Sequence, residues 1–239
     1  MKSKNSIFKY RAFNKSSIEL LINRELWFAK PSTLNDPFEC QMIFPEFLEA
    51  IWRHHSISDT RKKIVEERLA AKLECAGICS FSRTRKNQLM WSHYSDEHRG
   101  FCLGFDEQHL KANSARFHLE DVIYQSELPY KNVIERIKFF DKIPNGNSEY
   151  EIASDILSSI IVTKYVNWRY EKEVRLIRHE SGAIKFDPLS VRSLALGLRM
   201  SERDKVTLKA LLAGPEWAHL QWYQAEKAKD KFGLEFVKI

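Results

Sequence analysis

The sequence predicts an α+β fold, one domain over residues 1–239, with a mixed or antiparallel sheet and interleaved helices. Three observations carry this expectation. Short apolar strands and amphipathic helices follow one another without the strict strand-helix repeat of a doubly wound sheet. Within residues 101–105, Phe101, Leu103 and Phe105 alternate with the small Cys102 and Gly104, the period of a strand with one well-filled face. Residues 61–74 place opposite charges at helical spacing, the pattern of a solvated helix face.

In chain order, residues 7–13 read as a strand, and Ser16 opens a helix through a capping box closed by Glu19, with Leu20, Leu21 and Ile22 on its apolar side. Residues 26–29 form a second strand, stopped by Pro31. Asn35 and Asp36 lie in the next turn. Asp36 caps a following helix with Pro37 at its first position, while both side chains are also candidates for a site. Residues 44–73 are mostly helical, 77–81 a buried strand, 87–95 a short helix, and 97–100 a tight turn before the strand at 101–105. A strand at 121–124 precedes amphipathic helices at 133–140 and 150–162, with a loop at 144–147. Residues 168–177 read as a strand with Val174 and Leu176 on one side and Glu171, Glu173 and Arg175 on the other. A strand at 191–196, a helix at 202–212 and a closing strand at 233–239 complete the chain.

The composition, 44% hydrophobic and 29% charged, fits an ordinary globular protein and excludes a disordered or fibrous chain. The net charge of +6 favours approach of anions, nucleic acid included, without specifying one. No apolar run nears the roughly 20 residues that span a bilayer. Nor does the N-terminus carry an apolar signal core of about 7 to 15 residues. These absences predict a cytoplasmic protein without a membrane partner. Four irregularly spaced cysteines predict free thiols. Cys75 and Cys79, four apart, would share a helix face, but two further ligands at zinc spacing are missing, so no metal is expected.

Two segments concentrate chemistry. Residues 89–106 gather Trp91, His93, Tyr94, Asp96, His98 and Arg99 ahead of a strand. Trp91 and Tyr94 share a helix face, either as core packing or as a stacking platform. His98 and Arg99 contact a phosphate or face solvent, and Asp96 is a turn residue or a base. In residues 168–177, Glu171 and Glu173 are either catalytic carboxylates or partners of Arg175 on the same face.

The stretches FKYRAF, LWFAKPSTLNDPFEC, CSFS, LMWSHYSDEHRGFCLGFD, WRYEKEVRLIR and LALGLRM, in this order, resemble the family catalogued as domain of unknown function 2971. The resemblance covers most of the chain. It implies a bacterial or phage-encoded accessory protein, with associations to defence or toxin-like roles. A remoter similarity, in the layout of strand, helix, LWFAKP, aromatic-bearing helix and a late Glu-x-Glu, is to ADP-ribosyltransferases. That similarity implies NAD as cofactor, Lys9 or Tyr10 holding its adenosine side, Tyr94 stacking on nicotinamide, and Glu173 or Glu171 binding the ribose. An acceptor macromolecule is then required. One branch of those enzymes carries His where this chain has Lys9, and a second tyrosine of the usual aromatic pair is not evident here. Two noncatalytic readings stand beside the enzyme. Lys164, Arg169, Lys172, Arg175, Arg178 and Lys185, interleaved with Tyr165, Trp168 and Tyr170, suit a nucleic-acid-binding module. The same charges suit a protein-interaction module in which carboxylates and arginines are structural pairs. No motif specifies the acceptor or an oligomeric state.

Overall fold

The strand segments assemble around β1 (Ser6–Arg11), which is followed by α1 (Lys15–Asn23) and β2 (Glu25–Phe28). A computed structural model describes residues 6–36, 38–40, 45–54, 58–112, 117–140 and 149–239. Next come α2 (Pro45–Trp52), α3 (Asp59–Cys75), β3 (Gly77–Ser82), α4 (Gln88–Tyr94), β4 (Phe101–Asp106) and α5 (Glu107–Ala112). Then follow β5 (His118–Asp121), β6 (Ile123–Gln125), α6 (Tyr130–Phe140), α7 (Glu149–Val162) and β7 (Thr163–Tyr165). A 3-10 turn (Val166–Glu171) leads into β8 (Glu173–Arg178), β9 (Gly182–Lys185), β10 (Val191–Leu196), α8 (Glu202–Leu211), β11 (Gln221–Lys227) and β12 (Leu234–Lys238).

Eight strands form one sheet in the order β12, β11, β10, β4, β1, β3, β8, β5. All neighbours are antiparallel except β10 and β11. Two ribbons flank it, β2 with β9 and β6 with β7. The fold is therefore mixed α+β with a mostly antiparallel sheet.

Apolar residues divide between the two faces of the sheet as strand alternation requires. On one face Leu20 and Leu21 of α1, Leu110 of α5 and Leu208 of α8 pack with Phe101, Leu103, Phe105 and Leu176. On the other, Ile51, Leu69, Val133, Ile156 and Ile160 from α2, α3, α6 and α7 pack on Ile78 and Ile177. β8 is thus buried on both sides. A third cluster seats Met90 and Trp91 of α4 against Tyr10 and Leu234.

The feature that makes room for a site is a splay in the sheet. β1 pairs with β4 along its full length, from Ser6 with Asp106 to Arg11 with Phe101. With β3 it pairs only at Phe8 and Ser82. Beyond that point the strands separate, and Lys9 Nζ spans the gap by donating to the Ser80 carbonyl oxygen at 2.9 Å and to Cys79 Sγ at 3.2 Å.

Several local expectations are corrected. α1 is capped by Asn14, whose Oδ1 accepts from the Ser17 amide at 3.1 Å, so the Ser16–Glu19 box is not the cap. Asn14 precedes the helix and presents its carboxamide to the open amides first. Glu19 pairs with Lys15 instead, at 3.7 Å. The helical region after residue 44 divides into α2 and α3. Cys75 ends α3 while Cys79 lies within β3, so they share no helix face. Residues 168–171 are 3-10 and Lys172 is left-handed (φ 46°), so the strand starts only at Glu173. Asp36 Oδ1 accepts from the Phe38 amide at 2.9 Å in a local turn, and α2 begins only at Pro45. Pro37 and the loop at 144–147 lie outside the described residues. Among the described residues no helix is long and apolar enough to cross a membrane.

Among the described glycines, Gly100 has the least room. A Cβ there would stand 2.0 Å from the Arg11 carbonyl oxygen. Gly100→Ala should cost about 1–3 kcal/mol, the range for forced overpacking. Urea unfolding reads this as a lower midpoint; an unchanged midpoint would show that β1 and the turn before β4 are not in fixed contact.

Candidate active site

The site is built where α7 hands the chain to β7. Lys164 of β7 is 6% exposed, a position that an ammonium occupies only with compensating partners. It has three carboxylates. Its Nζ lies 2.7 Å from Glu171 Oε2, 3.1 Å from Glu173 Oε2 and 3.5 Å from Glu39 Oε2. The left-handed Lys172 brings Glu171 and Glu173 to the same ammonium, since it turns the chain between the 3-10 segment and β8. The expectation that the two carboxylates meet is met, although by a turn rather than by strand alternation.

Arg175 completes the cluster. It is 1% exposed, and it grips Glu173 with Nε to Oε1 at 2.8 Å and Nη2 to Oε2 at 3.0 Å, the bidentate geometry a guanidinium favours. It also contacts Glu39 and donates to the Ile161 carbonyl oxygen at the end of α7. Three carboxylates against two cations leave one negative charge in excess. Burial, with the charge of Glu171 adding to it, holds the Glu173 carboxyl above the ordinary carboxylate range despite the nearby Lys164. Burial also works against the Lys164 ammonium, but Glu173 and Glu171 outweigh it and raise its pKa.

Tyr94, at the end of α4, donates its hydroxyl to Glu171 Oε1 at 2.6 Å. Burial and the Glu171 charge push its pKa up, so at neutral pH the phenol keeps its proton and acts as a donor. Asn35 works against that rise. Asn87 sets α4 in place. Its Oδ1 accepts from the amides of Leu89 (2.8 Å) and Met90 (3.3 Å), and its Nδ2 donates to the Tyr170 carbonyl oxygen at 2.8 Å. One side chain therefore caps the helix that carries Tyr94 and fastens it to the turn that carries Glu171. Ser82 Oγ holds the Glu171 carbonyl oxygen at 2.6 Å, and the Glu173 amide donates to Tyr124 Oη at 2.7 Å.

These groups close one end of a cavity of about 680 Å3 that extends along the splay between β1 and β3. Lys9, Tyr10, Asn35, Tyr94, Glu171 and Glu173, named from the sequence, all line it. Arg11, Glu39, Lys164 and Trp27 line it too, and sequence reasoning missed them as site residues. Glu39 lay in a quoted stretch and Lys164 in the basic one, but no spacing rule joins positions so far apart in the chain. Glu39 and Lys164 also line a second cavity of about 680 Å3, beside Trp168, Leu128 and Asp36.

Tyr10 and the nominated residues outside the cavity make contacts within the fold. The Tyr10 hydroxyl donates to the Thr84 carbonyl oxygen at 2.8 Å, and its ring meets Trp91 edge-on at 5.4 Å. Trp91 is fully buried and stacks on His98 at 6.2 Å. His93 packs beside Tyr94 and Tyr170. Asp96, Glu97 and His98 all have positive φ, and Arg99 pairs with Asp96 (3.3 Å) and Glu97 (2.8 Å) across this left-handed turn. The amides of Gly197 and Arg199 donate to the carbonyl oxygens of Gly100 and His98, docking the turn on the end of β10. The basic stretch does not form a continuous surface, because Lys164 and Arg175 are buried in ion pairs.

Residues 90–176 match a family model described as Protein of unknown function (DUF2971). That span holds Tyr94, Lys164, Glu171, Glu173 and Arg175, and stops short of β1. Comparison with curated proteins and with solved structures found no match.

The raised Glu173 pKa has a definite sign. Between the ordinary and the raised pKa the folded state holds a proton that the unfolded carboxyl has released, so the stability tied to that proton is full below about 4.3, the ordinary Glu value. It is lost as pH rises through the raised folded value. Urea unfolding across pH should show the parent losing stability relative to Glu173→Gln as pH rises above the carboxylate range. Parallel curves would show that Glu173 titrates normally.

Proposed function

We propose that this chain cleaves the bond between nicotinamide and ribose in NAD, with ADP-ribosyltransferase-like chemistry, in the cavity between β1 and β3. The observation that supports this reading is that one cavity is lined by the cations Lys9, Arg11 and Lys164 and by the buried carboxylates Glu39, Glu171 and Glu173, with Glu19 and Glu25 also in its wall. Its volume of about 680 Å3 suits a cofactor-sized ligand.

The residues fit the group's parts. Lys9 carries three donors, of which Ser80 and Cys79 take two. Arg11 carries five, with Nε on Ser17 Oγ at 3.0 Å and Nη2 on Ser16 Oγ at 2.8 Å. Donors remain on both for a diphosphate. Of the carboxylates, Glu171 and Glu173 take different roles. Both oxygens of Glu173 are gripped by Arg175, so Glu173 positions Lys164 and shapes the site. Glu171, held by one ammonium and one phenol, is the carboxylate that meets the ribose.

NAD supplies a ribose C1′ from which nicotinamide leaves with the bonding electron pair. Glu171 stabilises the positive charge that develops there, and in a water-poor site this interaction strengthens as the charge grows. As the acceptor forms its new bond to C1′, its proton passes to the Glu171 carboxylate. Tyr94 keeps its own proton and holds the carboxylate in orientation, while Lys164 fixes the opposite oxygen.

Nicotinamide release from NAD, with cell extract as the source of acceptor, tests this function. Glu171→Gln keeps the shape and removes the charge, and should lower the rate about 10²–10³-fold, the cost of losing one preorganised electrostatic contact. No release by the parent protein, or an equal rate in the variant, would overturn the reading.

A further inference from the structure

We infer that the second cavity, beside Trp168, Leu128 and Asp36, binds an organic cation whose charge is carried on an alkylated ammonium head, as in a trimethylammonium group. The inference does not depend on the NAD reading, because among the described residues the two cavities share only Glu39 and Lys164 in their walls. The second cavity lies where β6 and β7 end. Gln125 and Tyr165 are the last pair of that ribbon, and both line the cavity, as does the turn that holds Asp36 and Phe38. Its volume of about 680 Å3 holds such a head together with the chain that carries it.

The wall is aromatic and acidic. Single exposed apolar residues are common and carry no meaning alone. Here Phe38, 78% exposed, and Tyr165, 48% exposed, gather at one cavity with Leu128 and Trp168. Trp168 already turns its ring to a cation, since Lys164 Nζ stands 5.1 Å from the indole centroid. The charge of that ammonium is compensated by Glu39, Glu171 and Glu173. Of the three carboxylates in the wall, Glu39 is engaged by Lys164 and Arg175, and Glu127 pairs with Lys131 at 3.0 Å. Asp36 differs from both. It is 7% exposed, its Oδ1 accepts from the Phe38 amide, and among the described residues no cation pairs with it. A carboxylate so buried is costly without a positive charge to meet it, and a cationic ligand in the cavity supplies that charge. The hydrogen-bond demand of the ligand selects its class. A guanidinium brings five N–H donors and asks for several open acceptors, whereas one carboxylate here lacks a cation. An alkylated ammonium asks only for charge and apolar contact, with its methyl groups against the rings and its charge facing Asp36.

Calorimetric titration with choline, and with the neutral alcohol in which carbon replaces the choline nitrogen, tests the site, because the two share a shape and differ in charge. Choline should bind the parent about ten-fold more tightly than the alcohol, the scale of a desolvated cation–π contact. Asp36→Asn keeps an oxygen for the Phe38 amide and so retains the turn. It should weaken choline about ten-fold and leave the alcohol unchanged, since only the charge is removed. Phe38→Leu, at an exposed position, should weaken choline and spare the alcohol, because the ring face is lost and the apolar volume is kept. A short peptide carrying trimethyllysine, titrated beside choline, distinguishes a protein-borne head from a free one by which of them binds more tightly; Asp36-dependent binding of either supports the site. No binding of choline or the peptide to the parent, an alcohol bound as tightly as choline, or affinity indifferent to Asp36→Asn would overturn it.

Discussion

Burial of charge is the constraint on which this structure turns. Lys164 and Arg175 sit beneath the surface with Glu39, Glu171 and Glu173, and none of them is stable there alone. Desolvating any one of these ions is expensive, and removing a partner from such a set leaves an unpaired buried charge costing about 3–5 kcal/mol. The cluster therefore ties together the turn holding Glu39, the end of α7, the 3-10 segment and β8, adding ion pairs to the apolar packing of α7 on β8. Apolar residues of similar volume would serve stability as well or better. That a net negative, buried, ionic set is kept at the end of a cavity is what points from structure to chemistry.

The splay between β1 and β3 supplies the second requirement, access. A fully paired sheet would bury the same cluster beyond reach of any ligand. Here β1 keeps its whole ladder with β4, and a single pair to β3 maintains the sheet while opening the cavity beside it. Lys9 offsets the lost ladder by reaching the Ser80 carbonyl oxygen, so a backbone acceptor in the gap is satisfied by a side chain that also offers charge to the cavity. The β2–β9 ribbon and α1 also line the cavity, through Glu25, Trp27, Ser16, Glu19 and Asn23.

Much of this was legible in the residues, for identifiable reasons. β3, β4 and β10 are short apolar runs bounded by turn signals, and periodicity finds such strands. β11, QWYQAEK, is mostly polar and partly exposed, so its strand nature comes from pairing with β10 and β12 rather than from pattern. Glu171 and Glu173 were paired on the premise of a continuous strand. The pairing stands because a left-handed Lys172 reverses the chain, a backbone choice that a lysine does not announce. Tyr94 drew notice through the aromatic company it keeps, yet Trp91 and His98 in the same company are packing or turn residues. Lys164 and Glu39 stayed hidden because burial inverts the meaning of charge: in sequence each is one more polar residue, and only the tertiary fold puts them in the core. Trp27 was hidden by the opposite inversion, an apolar residue in an apolar strand that the fold leaves uncovered.

The measurement that bears most directly on the buried cluster is a double-mutant cycle in unfolding free energy between Lys164 and Glu171, using Lys164→Met and Glu171→Gln singly and together. If the ions act as one set, the double variant is far less destabilised than the two single variants combined, with a coupling of about 1–3 kcal/mol, as found for residues in one network. Additive costs would contradict this, because they would mean that Lys164 and Glu171 are each held by their own surroundings and that no shared ionic set organises the site.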